Sequence, residues 1–322
     1  MPEVDIEGLT KDYAIGFWRK RPYRALDGVT LQVGAGEVFG FLGPNGAGKT
    51  TTLKLLMQLI YPTSGRMSIL GRPAGDIEVR RRIGYLPEAP YFYDHLTAEE
   101  LLIYVAGVFG LRGEERRRRA AALLDRVGIG GERRLPLRRF SKGMLQRVGL
   151  AQALVNQPDV VFLDEPMSGL DPLGRRDVRT LILELRDRGC TVFFSSHILS
   201  DAETLCSRVG VIVAGRMVAS GRLTDILAFE VTGWELVMSG IDADALRAIG
   251  DTALRTTCIG EGRFAIELKP ECEPERVIAA LRAPGATLVS LTPIRKTLED
   301  FFVEQVRAGH ASLAAGRVVG EG

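Results

Sequence analysis

The sequence is poor in the residues that mark several protein classes. Only 4 cysteines and 3 histidines occur in 322 residues. The cysteines, Cys190, Cys206, Cys258 and Cys272, have neither disulfide-framework nor zinc-site spacing, so we expect a reducing compartment and ordinary packing roles. Net charge is only +2, which argues against a general binder of nucleic acid. Any basic surface must therefore be local.

Long apolar runs are also missing. The longest, LLIYVAGVFGL at residues 101–111, falls far short of the roughly 20 residues that a membrane-spanning helix needs. The N-terminal MPEVDIEGLTKDY lacks the basic start and apolar stretch of a signal peptide. Work at a membrane would therefore require a partner that crosses it.

What the sequence does contain is a regular alternation of short apolar runs and helical patterns. The runs EVFGFL, RMSIL, RIGYL, VVFL, TVFFSS and VGVIVAG predict an α/β domain with a largely parallel central sheet over residues 1–228. Shorter strand-like and helix-like segments then predict a small α+β domain over residues 230–307. The tail, residues 308–322, has few large apolar groups, and we expect it to be disordered.

A phosphate-binding loop is predicted at residues 43–51, GPNGAGKTT. A strand precedes it and an amphipathic helix follows, which is the context that the G-x-x-x-x-G-K-[ST] motif requires. Loop N–H groups and the helix N-terminus favour an anion. Lys49 can reach the β- and γ-phosphates, and the Thr50 hydroxyl can bind Mg²⁺. By itself the loop indicates a nucleoside triphosphate, and its candidate binding residues are Gly43, Pro44, Asn45, Gly46, Ala47, Gly48, Lys49, Thr50 and Thr51.

Two acids end the predicted strand in VVFLDEP, residues 160–166. Asp164 is placed to hold Mg²⁺, and Glu165 beside it can accept a proton from an attacking water. One carboxylate for the metal and another for the water indicates hydrolysis of a nucleoside triphosphate rather than binding alone.

Three more motifs occur with these two: RRFSKGMLQRVGLAQALV at 138–155, SGLDP at 168–172 and SSH at 195–197. Together the five motifs resemble the ATP-binding subunit of bacterial ABC transporters, over about residues 4–225. The resemblance implies a P-loop NTPase cassette, with a RecA-like core sheet and a helical subdomain at about 90–156. The domain after 230, ending in TLEDFFVEQ with Leu298, Phe301 and Phe302 on one helical face, resembles the small C-terminal extension of exporter-type single-cassette subunits.

Members of that family sandwich two ATP molecules between two subunits. The resemblance implies that Ser141, a candidate N-cap, and Gly143 contact the γ-phosphate of ATP bound by a second copy. The usual leucine-serine-glycine-glycine-glutamine signature is changed here at Phe140, Lys142 and Met144. The serine and the second glycine are present, so the phosphate contact is still expected.

The same resemblance implies roles for four more residues. His197 would hydrogen-bond the γ-phosphate, Asp171 lies in the loop that communicates between the two ATP sites, and Tyr13 would stack on adenine. Glu88, in IGYLPEAP at 83–90, stands where the family usually has a glutamine that helps to bind Mg²⁺. We predict Glu88 as a metal ligand, with a solvated loop after Pro87 as the alternative.

Two segments have open alternatives. Trp18 and five basic residues nearby form either a solvated loop or a contact with a membrane subunit or anionic lipid; the basic residues are Lys11, Arg19, Lys20, Arg21 and Arg24. The aromatic cluster Tyr91, Phe92 and Tyr93 is either a partner surface or the core of the helical subdomain.

The expected function is Mg²⁺-dependent ATP hydrolysis that powers transport, with export as the expected direction. The partners would be a second copy and separately encoded transmembrane permease subunits, at the cytoplasmic face of the membrane, with no specific nucleic acid. The alternative is a soluble ABC-type ATPase acting on a ribosome, DNA or an assembly complex. Such proteins usually carry two cassettes or a long coiled coil, and neither pattern occurs here.

Overall fold

The computed structural model describes residues 2–16, 21–226, 231–241, 246–247, 249–260, 262–282, 285–295, 299–300 and 303. The chain divides into two compact units, the first running to Ile226 and the second comprising Leu227–Phe301. The sequence predicted that the first domain ends at residue 228 and that the second begins at residue 230. Several predictions lie outside the described residues and stay predictions: the roles of Trp18, Arg19, Lys20, Leu298, Phe301 and Phe302, and the disorder of 308–322.

The strands of the first unit are β1 (Val4–Ile15), β2 (Arg21–Val33), β3 (Val38–Leu42), β4 (Ser64–Ile69), β5 (Arg72–Pro73), β6 (Ile83–Leu86), β7 (Val160–Asp164), β8 (Thr191–Ser196), β9 (Arg208–Val213) and β10 (Arg216–Arg222). Its helices are α1 (Lys49–Leu56), α2 (Ile77–Arg82), α3 (Ala98–Val108), α4 (Gly113–Arg126), α5 (Lys142–Ala153), α6 (Pro172–Asp187), α7 (Leu199–Leu205) and α8 (Leu223–Ile226), with a 3₁₀ turn at Leu137–Arg139. None of the helices in the described ranges combines the length and the apolar character needed to cross a bilayer.

The central sheet has the order β10-β9-β3-β8-β7-β6. Its strands run parallel from β9 to β6, and β10 is antiparallel to β9. Every residue of β3, β7 and β8 is buried, as expected for strands covered on both faces. Phe193 packs at the centre, with its ring centroid 5.5 Å from that of Phe39 and 5.7 Å from that of Phe162. The predicted parallel sheet is confirmed.

The prediction was wrong for one strand, which does not belong to the central sheet. RMSIL forms β4, which pairs antiparallel with β1 in a separate sheet of order β2-β1-β4-β5. Arg66 and Ser68 explain the difference, because a strand in the parallel sheet would bury both faces, whereas β4 is exposed or half-buried at every residue except Ile69. The segment with basic residues around Trp18 is also not a simple loop where it is described. Strands β1 and β2 pair antiparallel as far as Ile15 and Arg21, so Lys11, Arg21 and Arg24 lie in strands.

Helices α3, α4 and α5 form the helical subdomain predicted at about 90–156. Helix α3 begins with a capping box, in which Thr97 and Glu100 satisfy each other's backbone N–H groups. Ser141 caps α5 as predicted, accepting from the Met144 N–H at 3.2 Å. The C-terminal end of α5 lies against β6, because a Cβ built on Gly84 would stand 2.0 Å from the Ala153 carbonyl oxygen. Glycine at position 84 thus permits close approach of the subdomain to the sheet.

The second unit is a small α+β fold. Its elements are β11 (Val231–Ser239), β12 (Ala253–Gly260), β13 (Arg263–Leu268), α9 (Pro274–Ala280) and β14 (Thr287–Arg295). The strands form an antiparallel sheet of order β12-β13-β11-β14, whose apolar face includes Leu236, Ile266 and Leu268. The sequence did not predict β12, because ALRTTCIG lies at the sheet edge with every residue exposed or half-buried, which leaves no apolar alternation to recognise.

Replacing Gly84 by alanine should destabilise the first unit, because a main-chain carbonyl cannot yield to the new methyl group as a flexible side chain would. We expect a loss of about 3 kcal/mol, equivalent to a melting point lower by about 6–12 °C. Thermal unfolding of Gly84→Ala and Gly131→Ala measures the effect. Gly131 has no neighbour within 4 Å of an added Cβ, so equal melting points for the two variants would contradict the packing described here.

Candidate active site

The loop between β3 and α1 brings glycines and Lys49 to the carboxyl edge of the central sheet. Gly48 has φ +111° and directly precedes α1, and a Cβ there would lie 2.5 Å from Leu26 Cδ2. Only glycine satisfies both the left-handed backbone and the close contact. The loop therefore places the N–H groups at the start of α1 where an anion can reach them.

A cavity of about 360 Å³ opens over this loop. Its lining residues are Tyr13, Tyr23, Ala25, Pro44, Asn45, Gly46, Gly48, Lys49, Thr50, Thr51, Glu88 and Glu165. Most predicted ATP-binding residues thus share one cavity with the predicted base Glu165 and with Glu88. Gly43 and Ala47 belong to the same loop but do not line the cavity, and Ala47 is buried.

A continuous chain of polar contacts runs through Glu165. Lys49 Nζ donates to the carbonyl oxygens of Gly43 at 2.7 Å and Pro44 at 3.2 Å, and lies 3.3 Å from Glu165 Oε1. Glu165 Oε2 is 2.8 Å from Nδ1 of His197. An ionised carboxylate only accepts hydrogen bonds, so His197 Nδ1 carries the proton of this contact. Its ring is 45% exposed, whereas Lys49 and Glu165 are almost fully buried.

The parallel sheet explains why these residues meet. In the registers of adjacent strands, Leu42 pairs with Ser196 and Asp164 pairs with Ser195, so β3, β8 and β7 end at one edge. The next strand, β6, ends at Leu86, two residues before Glu88. The chain turns sharply after β7, since Glu165 has φ +50° and precedes Pro166. A non-glycine residue in this conformation carries strain of about 1–2 kcal/mol.

Asp164 does not line the cavity and has no solvent exposure. Its Oδ1 accepts a hydrogen bond from Ser195 Oγ at 2.6 Å, and Ser195 Oγ in turn accepts from the Glu165 N–H at 2.9 Å. Burial raises the pKa of Asp164 above its usual value, the Ser195 and Thr50 hydroxyls oppose the shift, and the nearby charges of Glu88 and Glu165 add to it.

The side chains of Asp164, Thr50 and Glu88 fit a hydrated divalent cation. Asp164 Oδ2 is buried without a hydrogen-bond partner, and Thr50 and Glu88 are near enough to affect the Asp164 pKa. In the described part of the chain, no three His, Cys, Asp or Glu side chains form a metal cluster. Mg²⁺ does not need one, because it usually combines one or two carboxylates with water and substrate phosphates.

Other predicted site residues lie away from the cavity. Ser141 and Gly143 are at the N-terminus of α5, and Asp171 caps α6 by accepting from the Gly174 N–H at 2.8 Å. None of the three lines the cavity. Tyr13 does line it, and Lys11 Nζ lies 5.2 Å from the Tyr13 ring centroid.

Sequence reasoning missed three residues of this region. Tyr23 lies opposite Tyr13 in the β1–β2 hairpin and lines the same cavity. Ser195 joins the two acidic residues, and Gln146 donates from Nε2 to the carbonyl oxygens of Glu165 and Pro166. Ser195 was open to prediction, because it lies in the SSH motif that follows the apolar run TVFF. Tyr23 and Gln146 had no comparable signal.

The known proteins that this chain resembles are ATP-binding proteins, most of them described as belonging to ABC transporters. The family model described as ABC transporter matches residues 26–168. An uncharacterized ABC transporter ATP-binding protein of Synechocystis sp. is 44% identical over 94% of this chain and 84% of its own length. The linearmycin resistance ATP-binding protein of Bacillus subtilis is 32% identical over 86% of this chain and 91% of its own. A solved dimeric ATP-binding cassette in a post-hydrolysis state, bound to ADP and Pi, aligns with TM-score 0.64 and 28% identity over 68% of this chain and 98% of that chain.

Asp164→Asn should stabilise the protein measured without nucleotide or metal, because it removes a buried charge. We expect the melting point at pH 7 to rise by about 2–4 °C, equivalent to about 1 kcal/mol. A carboxyl group whose pKa is raised on folding binds its proton more tightly in the folded state, so the parent gains stability as the pH falls through that raised pKa. The difference between parent and variant should therefore shrink towards acidic pH.

The matched control is Asp225→Asn, which removes an exposed carboxylate and should leave the melting point unchanged. Two outcomes would contradict the prediction: a lower melting point for Asp164→Asn at pH 7, or a melting-point difference between parent and variant that does not depend on pH. Either would show that burial of the Asp164 carboxylate does not destabilise the folded protein.

Proposed function

This chain belongs to the family of ABC transporter ATP-binding proteins, and from that premise we propose that it hydrolyses ATP with Mg²⁺ to power export through separately encoded membrane subunits. The observation that carries the proposal is the Glu165 carboxylate, held between the Lys49 ammonium and the His197 imidazole at the edge of the nucleotide cavity. Mere nucleotide binding would not need a buried carboxylate at this point.

The residues have distinct chemical tasks in this proposal. The loop N–H groups and Lys49 bind the β- and γ-phosphates, and Tyr13 and Tyr23 offer ring faces for adenine. The water oxygen attacks the γ-phosphorus, its proton passes to Glu165, and the bond from the γ-phosphorus to the ADP oxygen breaks. His197 would donate from Nε2 to a γ-phosphate oxygen when its ring carries a proton on both nitrogens, since Nδ1 already donates to Glu165. Thr50, Asp164 and Glu88 would hold Mg²⁺, which would neutralise charge on the phosphates when bound.

A second copy of the chain would complete each ATP site. Ser141 and Gly143 lie at the N-terminus of a 12-residue helix and do not line their own chain's cavity. The N-terminus of a helix attracts anions, so another chain's γ-phosphate is a suitable partner. The dimeric cassette bound to ADP and Pi supports this arrangement.

The membrane partner would contact the helical subdomain. A shallow groove of about 270 Å³ is lined by Val105 and Phe109 of this subdomain and by Leu59 and Tyr85 outside it. Exposed aromatic rings also occur on this subdomain, with Tyr91 exposed at 95%, which favours the partner-surface alternative over the core alternative. We place the protein at the cytoplasmic face of the membrane, held there by its permease.

Export is the favoured direction of transport. One relative covering most of the chain is a linearmycin resistance ATP-binding protein, and resistance to an antibiotic is consistent with its removal from the cell. Relatives with transporter names also favour the transport function over the soluble ATPase alternative. Purification together with the proposed permease, followed by assays of ATPase stimulation, would identify the compound that is moved.

Glu165→Gln tests the proposed base. The amide keeps the side-chain shape but cannot accept the water proton, so turnover should fall by about 10²-fold or more. ATP and Mg²⁺ should still bind, and size-exclusion chromatography should show an ATP-dependent dimer. Glu115→Gln, an exposed change on α4, is the control. A Glu165→Gln protein that hydrolyses ATP at the parent rate would exclude Glu165 as the base.

Glu88→Gln tests the proposed metal ligand. The substitution keeps a coordinating oxygen but removes a charge whose attraction to a cation 4 Å away is about 1 kcal/mol per unit charge in water. Mg²⁺ carries two charges, so the loss is about 2 kcal/mol and the Mg²⁺ concentration for half-maximal turnover should rise about 30-fold. If metal dependence and turnover both stay unchanged, Glu88 belongs to a solvated loop.

A further inference from the structure

Gln146 is a buried polar side chain that the proposed chemistry does not use. It lies on α5, is 1% exposed, and its Nε2 stands 3.3 Å from the carbonyl oxygens of both Glu165 and Pro166. Two carbonyls can only accept, so the amide must present its nitrogen to them, and its two N–H groups suffice for both contacts.

The two carbonyls belong to the strained turn that aims Glu165. The residue has φ +50° and precedes a proline, a position that disfavours helical backbone angles. Side chains hold this turn from two directions, with Ser195 Oγ accepting the Glu165 N–H and Gln146 donating to the Glu165 carbonyl. Strain of this kind persists only where the surroundings over-determine the backbone.

The helix that carries Gln146 also carries the residues assigned to the second copy's ATP. Gln146 is five residues after Ser141, which is a separation of about 7.5 Å along a helix. A shift of α5 on contact with a γ-phosphate would therefore move the amide that holds the Glu165 main chain. Displacement of a reacting group by about 1 Å can change a rate about 10²-fold.

We propose that Gln146 is a positioning residue for Glu165, and that it couples the base in one ATP site to the α5 N-terminus engaged in the other. The coupling part rests on the two-copy arrangement proposed above. The Gln146 amide nitrogen donates to main-chain carbonyls, and the residue does not line the cavity, so its proposed effect is on the geometry of Glu165 rather than on ATP.

The test compares Gln146→Met and Gln146→His in the full-length protein. Methionine has nearly the same shape but no donor, whereas the histidine Nε2–H can replace one donor. We expect turnover to fall at least tenfold in Gln146→Met, with ATP affinity unchanged in a fluorescent-nucleotide binding assay, and to recover partly in Gln146→His. If hydrolysis by the parent depends on ATP with a Hill coefficient above 1, that coefficient should fall towards 1 in Gln146→Met.

Gln58→Met is the matched control, because Gln58 Nε2 also donates to a main-chain carbonyl at 3.3 Å, on Leu55 and outside the cavity. Parent-like turnover in Gln146→Met would overturn the proposal, as would equal losses of turnover and ATP affinity in both Gln146 variants. If Gln146→Met does not fold, the test uses Gln146→His alone. Lower turnover with unchanged ATP affinity in that variant would support the proposal, and parent-like turnover would overturn it. A parent that neither hydrolyses ATP nor dimerises would instead refute the proposed function.

Discussion

The buried ammonium group of Lys49 is the interaction on which the site depends. A lysine that is 6% exposed needs several acceptors, because an unpaired charge in the interior costs far more than folding can supply. Those acceptors are two loop carbonyls and the Glu165 carboxylate. The loop after β3 and the turn after β7 must therefore converge, and their convergence also sets the distance between the proposed phosphate site and the proposed base.

The parallel sheet makes this convergence possible at a cost. Four neighbouring strands end at one edge, so residues far apart in sequence, such as Glu88 and His197, follow strand ends at the same edge. The cost is a positive φ at Glu165 and a fully buried carboxylate at Asp164. Both features reduce stability by amounts that the apolar strands around Phe193 offset, and both concentrate where the chemistry is proposed.

The sequence was most informative where one short segment contains its own context. Lys49 and Thr50 follow a strand and begin a helix, and Asp164 and Glu165 end a run that only a buried strand explains. It was least informative where a contact depends on pairing between distant segments. Gln146 reads as an ordinary helix residue until the turn after β7 lies beside it, and β4 resembles the parallel strands until Arg66 shows that one face stays in water.

Capping contacts bear on the roles that the family resemblance implies for Ser141 and Asp171. Ser141 Oγ uses an acceptor site for the Met144 N–H, which leaves its hydroxyl hydrogen free to donate to a phosphate. Asp171 accepts from the Gly174 N–H and, when ionised, has no hydrogen to donate, so direct contact with a phosphate would be repulsive. In the proposed dimer, Asp171 would therefore act on a nucleotide only through the orientation of α6. Ser141 alone of the two has the chemistry to bind the γ-phosphate directly, and its helix is the one that holds Glu165.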